Sequence, residues 1–184
     1  MVATMKYDPS KHRRHSIRLK GYDYAQVGAC FVTIVTHNRE CLFDDLVLRR
    51  AAETHWHALP NHFANILLDE WIVMPNHLHG IIVIIHNVGA CCNTPLQNQF
   101  KSPSKTIGAI VRGFKSVATK EISKLNKTPG IPVRQRNYYE HIIRNEKELT
   151  KIRAYIQNNP LKWSLDRENP NRIGVDILED EIFK

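Results

Sequence analysis

The strongest constraint on this chain is a pair of apolar runs, residues 66 to 75 (ILLDEWIVMP) and 77 to 87 (HLHGIIVIIHN), separated at Pro75-Asn76. Both runs are rich in β-branched and aromatic residues, and Pro-Asn is turn chemistry, so the pattern predicts two adjacent antiparallel strands. On a strand, alternate side chains share a face. His77, His79, Ile81, Val83 and Ile85 therefore line one side of the second run, and Leu78, Ile82 and Ile84 the other. Beyond its polar start this strand is apolar on both sides, which requires it to be buried.

The flanking sequence supplies the partners. Residues 30 to 38 (CFVTIVTHN) read as a further strand, and the segment from Leu46 to Phe63 has apolar residues at helical intervals with Pro60 near its close. Helical periodicity returns over residues 105 to 125 through Ile107, Ile110, Val111, Phe114, Val117 and Ile122, leaving cations such as Arg112 and Lys115 on the remaining surface. After Pro129-Gly130 comes VRQRNYYEHIIRN, and then a helix in which Asn145 is the expected cap, Glu148 takes the capping-box position and Pro160 enforces the end. Strand, helix, two strands, helix and terminal helix make an α+β class: an antiparallel sheet with helices packed on it. One domain over residues 25 to 165 is expected, preceded by a basic arm (1 to 24) carrying Lys11, Arg13, Arg14, Arg18 and Lys20. Residues 88 to 104 change to small, polar and proline-containing types and read as a mobile loop. Residues 166 to 184 are expected to be a tail on the surface.

Lys and Arg number 26 against 18 Asp and Glu, a net charge of +8 that favours polyanionic partners, nucleic acid first. Cys30, Cys41, Cys91 and Cys92 show no CxxC spacing and suit a reducing compartment. No signal-peptide core and no run long enough to span a membrane is present, so a cytoplasmic protein is expected.

His77-Leu78-His79 is where the sequence becomes specific. Two imidazoles on one strand face, about 6.6 Å apart at Cα, can converge on one ion. His55-Trp56-His57 has the same spacing but falls in a helix, where the rings diverge by about 200°, so that pair reads as structural or solvent-facing. Two histidines leave a metal under-coordinated. On the terminal helix, Tyr155 and Asn159 stack on one face, offering a nucleophile and an amide oxygen; packing for Tyr155 and a helix-end cap for Asn159 remain the alternative.

Read together, WIVMPNHLHGIIVI, NYYEHIIRNEKEL and IRAYIQNNPLKW resemble the REP-associated tyrosine transposases, relatives of insertion-sequence transposases in the HUH class. The opening RRHSIRLKGYDYAQVGACFVTIVTHNRECLF is also similar, so the likeness covers residues 12 to 165. It implies a ferredoxin-like, RRM-like core with His77 and His79 on a central strand, Tyr155 as nucleophile, and Asn159 where insertion-sequence relatives have a glutamine ligand. It further implies Mg²⁺ or Mn²⁺ as cofactor, single-stranded or hairpin DNA as partner, and cleavage through a 5′-phosphotyrosine that can be rejoined. Contacts to DNA are expected from Arg13, Arg14, Arg18, Lys20, Arg112, Lys115, Arg136 and Tyr138. Insertion-sequence relatives share catalytic residues across dimers, whereas this longer type can complete its site in one chain, so monomer and homodimer both stand. The sequence departs from the family at Arg134, where the family usually has Trp. Lys151, one turn before Tyr155, is a candidate to favour the phenolate. Two rival readings are a hairpin-DNA-binding protein that no longer cuts, and a zinc-dependent nuclease that uses only the histidines.

Overall fold

The computed structural model describes residues 23–85 and 106–182. The element order is β1 (Gly28–Val35), α1 (Leu46–His57), α2 (Leu59–His62), β2 (Ile66–Val73), β3 (His77–Ile84), α3 (Ile107–Leu125), β4 (Tyr139–Ile143), α4 (Glu146–Asn158), a 3₁₀ segment (Asn159–Leu165) and α5 (Ile177–Ile182). The four strands form one sheet in the order β2-β3-β1-β4, every neighbouring pair antiparallel. This is the ferredoxin-like βαββαβ arrangement that the family resemblance implied, with β3 central; β4, within VRQRNYYEHIIRN, is a strand that the residue pattern did not show. The basic arm, apart from its last two residues, and the 88–104 segment lie outside the described residues, as do Arg13, Arg14, Arg18 and Lys20.

The local signals explain the boundaries. Asp45 caps α1 by accepting from the amides of Val47 and Leu48, Thr106 caps α3 through Ala109, and Asn145 caps α4 through Glu148. Glu148 reaches back to the amide of Arg144 at 2.7 Å, one residue before the cap. The hairpin between β2 and β3 closes with Met74 N donating to His77 O at 2.8 Å. Two differences from the sequence expectation have simple causes. β1 ends at Val35 because the chain turns through Asn38 and Arg39, both at positive φ (53° and 57°). The helix expected from Leu46 to Phe63 breaks at Ala58, just before Pro60, and resumes as α2.

The two faces of the sheet are covered separately. On one, Cys30, Val32, Ile34, Leu78, Ile82 and Ile84 pack against α1 and α3 through Trp56, Ile110, Val111 and Phe114. Trp56 is wholly buried and meets Phe114 edge-on at 5.2 Å. Its indole lies so close to β3 that a Cβ at Gly80 would collide with it, so the glycine after the second histidine is a packing requirement. Burying each such large side chain contributes roughly 1.5–3 kcal/mol. On the opposite face Phe31 and Ile81 pack against Ile152, Tyr155 and Ile156 of α4 and Ile182 of α5. α4 therefore covers the side of the sheet on which the histidines lie.

The surface role expected after Trp163 does not hold for several of these residues: Asp166, Asn169, Asp176 and Ile182 are all buried. Asx turns fold this segment back on the domain, with Glu168 N donating to Asp166 Oδ1 and Asn171 N to Asn169 Oδ1. Asn169 Nδ2 also donates to Trp163 O. Lys162 closes the turn by pairing with Asp176 at 2.9 Å. In α1, His55 faces Glu121 of α3 and His57 is exposed, the structural and solvent-facing roles expected of that pair.

Candidate active site

The site grows from the register of the two central strands. Thr33 and Val35 of β1 stand opposite His79 and His77 of β3, and both imidazoles are buried. Each ring is held through its Nδ1. Asn76, the turn residue, donates its Nδ2 to the carbonyls of Arg39 (3.1 Å) and Glu168 (2.7 Å). Its Oδ1 is thereby turned toward His77 Nδ1 at 2.8 Å, so that nitrogen must carry the hydrogen and Nε2 presents a lone pair. His79 Nδ1 lies 2.9 Å from Thr33 Oγ1, a hydroxyl able to donate or accept. The two Nε2 atoms face each other at 2.9 Å.

Burial, and then the neighbouring His79, lowers the His77 pKa well below its usual 6.5, with Asp166 acting the other way. His77 is therefore neutral at physiological pH, the form that binds metal. Asp166 supplies the third side. Its Oδ2 lies 3.6 Å from His77 Nε2 and 3.9 Å from His79 Nε2. Burial pushes this carboxyl up, but His79 and His77 facing it, with the Glu168 amide, more than offset that and hold it at about 2. Among the described residues, His77, His79 and Asp166 form the one cluster of such side chains able to hold a metal ion, with ligand atoms within 4.8 Å of one another.

The chemistry of the donor set fits a cation. Two imidazole nitrogens approach closely, and Asp166 Oδ2 beside them is buried with no hydrogen-bond donor; Asn159, the residue that caps the end of α4, likewise has a buried Oδ1 with no donor. Buried acceptors are rarely left unsatisfied, and a divalent ion would satisfy both kinds. Tyr155 comes to the same place from α4. Its hydroxyl lies 3.2 Å from His79 Nε2, and its ring packs edge-on against Phe31 at 6.1 Å. A single chain thus brings the phenol to the histidines.

The remaining expected residues divide. Arg112 and Arg136 are exposed. Lys115 is half-buried, and its ammonium donates to the carbonyls of Gln135, Arg136 and Asn137 at 2.8–3.2 Å, so it shapes that segment from beneath. Burial and then nearby Arg134 lower its pKa to about 8. The Tyr138 hydroxyl donates to Glu140, and Tyr139 packs edge-on against Phe31. Lys151 is exposed and lies 3.8 Å from Glu181 of α5. Arg134 sets its guanidinium 5.7 Å from the Phe114 ring and donates to Thr119 Oγ1.

Asp166 is the site residue that sequence reasoning missed. It follows Pro160, outside the helical spacing that links Tyr155 to Asn159. The only local signal was turn chemistry in Asp166-Arg167-Glu168-Asn169-Pro170.

No family model matches the chain. An uncharacterized protein of Haemophilus influenzae is 44% identical over 177 residues, covering 89% of this chain and 97% of the other. Among solved structures, a REP-associated tyrosine transposase bound to a REP hairpin superposes with a TM-score of 0.51 at 19% identity, covering 80% of this chain and 74% of that one. At that identity the likeness is one of fold.

Proposed function

We propose that this chain, which belongs to one family with the Haemophilus influenzae protein and has the fold of a REP-associated tyrosine transposase, is a metal-dependent tyrosine transposase that nicks and rejoins single-stranded DNA. One observation carries the reading: the Tyr155 hydroxyl sits 3.2 Å from His79 Nε2, which is itself 2.9 Å from His77 Nε2. A nucleophile and paired metal ligands meet in one buried place.

His77, His79 and Asp166 would hold the ion, with the Asn159 amide oxygen as a further donor. When bound, Mg²⁺ or Mn²⁺ supplies Lewis-acid stabilisation of charge on the scissile phosphate. Asn76 and Thr33 orient the imidazoles so that both Nε2 atoms point inward. Tyr155 Oη forms a bond to phosphorus while the bond from phosphorus to the 3′ oxygen breaks, and the phenolic proton ends on that oxygen. A 5′-phosphotyrosine and a free 3′-hydroxyl result. One phosphodiester replaces another, so a second 3′-hydroxyl can reverse the step without ATP. The substrate is single-stranded DNA beside a hairpin, by analogy with the hairpin bound to the structural neighbour. Exposed Arg112 and Arg136 and the arm residues Arg13, Arg14, Arg18 and Lys20 are the proposed phosphate contacts.

The test is a denaturing gel of protein incubated with hairpin DNA labelled at either end, with and without Mg²⁺ or Mn²⁺. A metal-dependent covalent adduct retaining the label 3′ of the nick, and absent in Tyr155→Phe, is expected. Released fragments without adduct, unchanged in Tyr155→Phe, would mean hydrolysis; binding without cleavage would mean a hairpin-binding protein.

A further inference from the structure

α4 carries Tyr155, and its apolar contacts alone do not fix where the phenol lands. Ile152 and Ile156 anchor it on the sheet, yet aliphatic packing is non-directional and leaves lateral placement loosely defined. Two polar contacts at the edges of the sheet supply that direction. On edge strand β2, Asp69 accepts from Arg153 Nε at 2.8 Å and from Nη2 at 2.6 Å, a two-pronged carboxylate–guanidinium fork. On the opposite edge strand β4, His141 Nε2 lies 2.8 Å from Glu148 Oε1.

The β2 side carries an irregularity beside the fork. Leu68 pairs with Ile82 but Trp71 with Gly80, so two residues, Asp69 and Glu70, oppose one. This is a β-bulge, a device that re-aims a side chain. Because of it Leu68 and Trp71 both reach the α1/α3 core while Ile72 packs on the histidine side. A regular strand would send Leu68 and Trp71, three apart, to opposite faces. Asp69, next to Leu68, falls on the α4 side by ordinary alternation, and the bulge follows directly after it. Arg153 is half-exposed and Asp69 mostly covered, at 40% and 17% side-chain exposure. An isolated pair of that kind contributes little stability, so the geometry of the fork is the feature that matters.

The geometry points to a lateral clamp: the Asp69–Arg153 fork on one edge strand, opposed by His141–Glu148 on the other, sets α4 across the sheet so that the Tyr155 hydroxyl meets His79. Asp69 and Arg153 are positioning residues and take no part in the chemistry. The link to cleavage rests on the function proposed above; the clamp itself does not.

Amide hydrogen exchange on the full chain tests it, run beside single-turnover adduct formation and DNA affinity. In Asp69→Asn, exchange within α4 is expected to rise about 3-fold while β1 and β3 keep wild-type protection. His141→Phe is expected to loosen the first turns of α4 in the same way. Adduct formation in Asp69→Asn falls about 10-fold to 100-fold with DNA affinity within about 2-fold, the mark of misplacement rather than lost binding. Arg153→Lys, which keeps the charge and loses the fork, falls between. Wild-type exchange in α4 of Asp69→Asn, or a rise spread equally over the sheet, overturns the clamp. A wild-type protein that forms no adduct sinks the proposed function instead, and the exchange data still decide the clamp.

Discussion

The two faces of β3 are made from alternate residues of one strand, yet they behave as different materials. Leu78, Ile82 and Ile84 enter a core with α1 and α3 whose buried groups are almost all aliphatic or aromatic. On the neighbouring positions of the chain, His77 and His79 enter a buried space with Thr33, Asp166 and the Tyr155 hydroxyl. The first face is dominated by apolar packing, and the second gathers titratable side chains, His77, His79 and Asp166, with the Tyr155 hydroxyl. Packing on one side of the strand fixes the register that sets the histidines on the other.

The contrast can be broken by substitutions that touch one face only. The largest effect is expected from Tyr155→Phe: adduct formation drops by at least about 10³-fold, measured in single-turnover gels. Its unfolding free energy changes by no more than about 1 kcal/mol, since a single hydroxyl is lost. Leu78→Ala should do the reverse. Denaturant unfolding is expected to show a loss of about 2–5 kcal/mol, while Mn²⁺ affinity at the neighbouring histidines, read by calorimetry at a temperature where the variant is folded, stays at the wild-type value. If Leu78→Ala weakens the metal as much as the fold, the two faces are not separable.

Asn76→Ala sharpens the comparison. It removes the acceptor that fixes His77 Nδ1–H, and metal affinity is expected to fall about 10-fold to 100-fold in the same titration. The smallest effect is on pH. His77 has a folded pKa below its unfolded 6.5, so the unfolded chain takes the proton first. Its contribution is complete above pH 6.5 and lost as pH falls below it. Asp166 acts in the same direction at lower pH, its contribution complete above 3.8 and lost as pH falls through about 2. Thermal unfolding midpoints of the metal-free protein should therefore decline on acidification from pH 6.5, and His77→Gln should flatten the upper part of that decline.

What the sequence revealed of these faces follows from how local each signal is. Alternation along β3 was legible because a strand repeats every two residues, and it placed His77 and His79 together and Leu78 apart. Helical spacing likewise predicted a shared face for Tyr155 and Asn159; both are buried, Tyr155 on α4 and Asn159 as the residue that caps its end. The strand and helix pattern gave the α+β class alone; the ferredoxin-like core was implied by the family resemblance, and β4 was not read as a strand from its residues. Asp166 was not legible, because its approach depends on a 3₁₀ segment and Asx turns that carry the chain back after Pro160. Asn76 read only as turn chemistry; its hold on His77 requires the carbonyls of Arg39 and Glu168, brought there by tertiary folding. The bulge at Asp69-Glu70 left no mark in a run that still looks like an ordinary strand, and its partner Arg153 lies on a distant helix.

Peptide mass spectrometry of the protein–DNA species is the sharpest single measurement. After nuclease digestion, the expected result is one nucleotide-bearing phosphotyrosine, at Tyr155, formed only when Mg²⁺ or Mn²⁺ is present. A linkage at any other residue, or strand cleavage with no linked peptide, contradicts the assignment of the histidine face as a metal and nucleophile site.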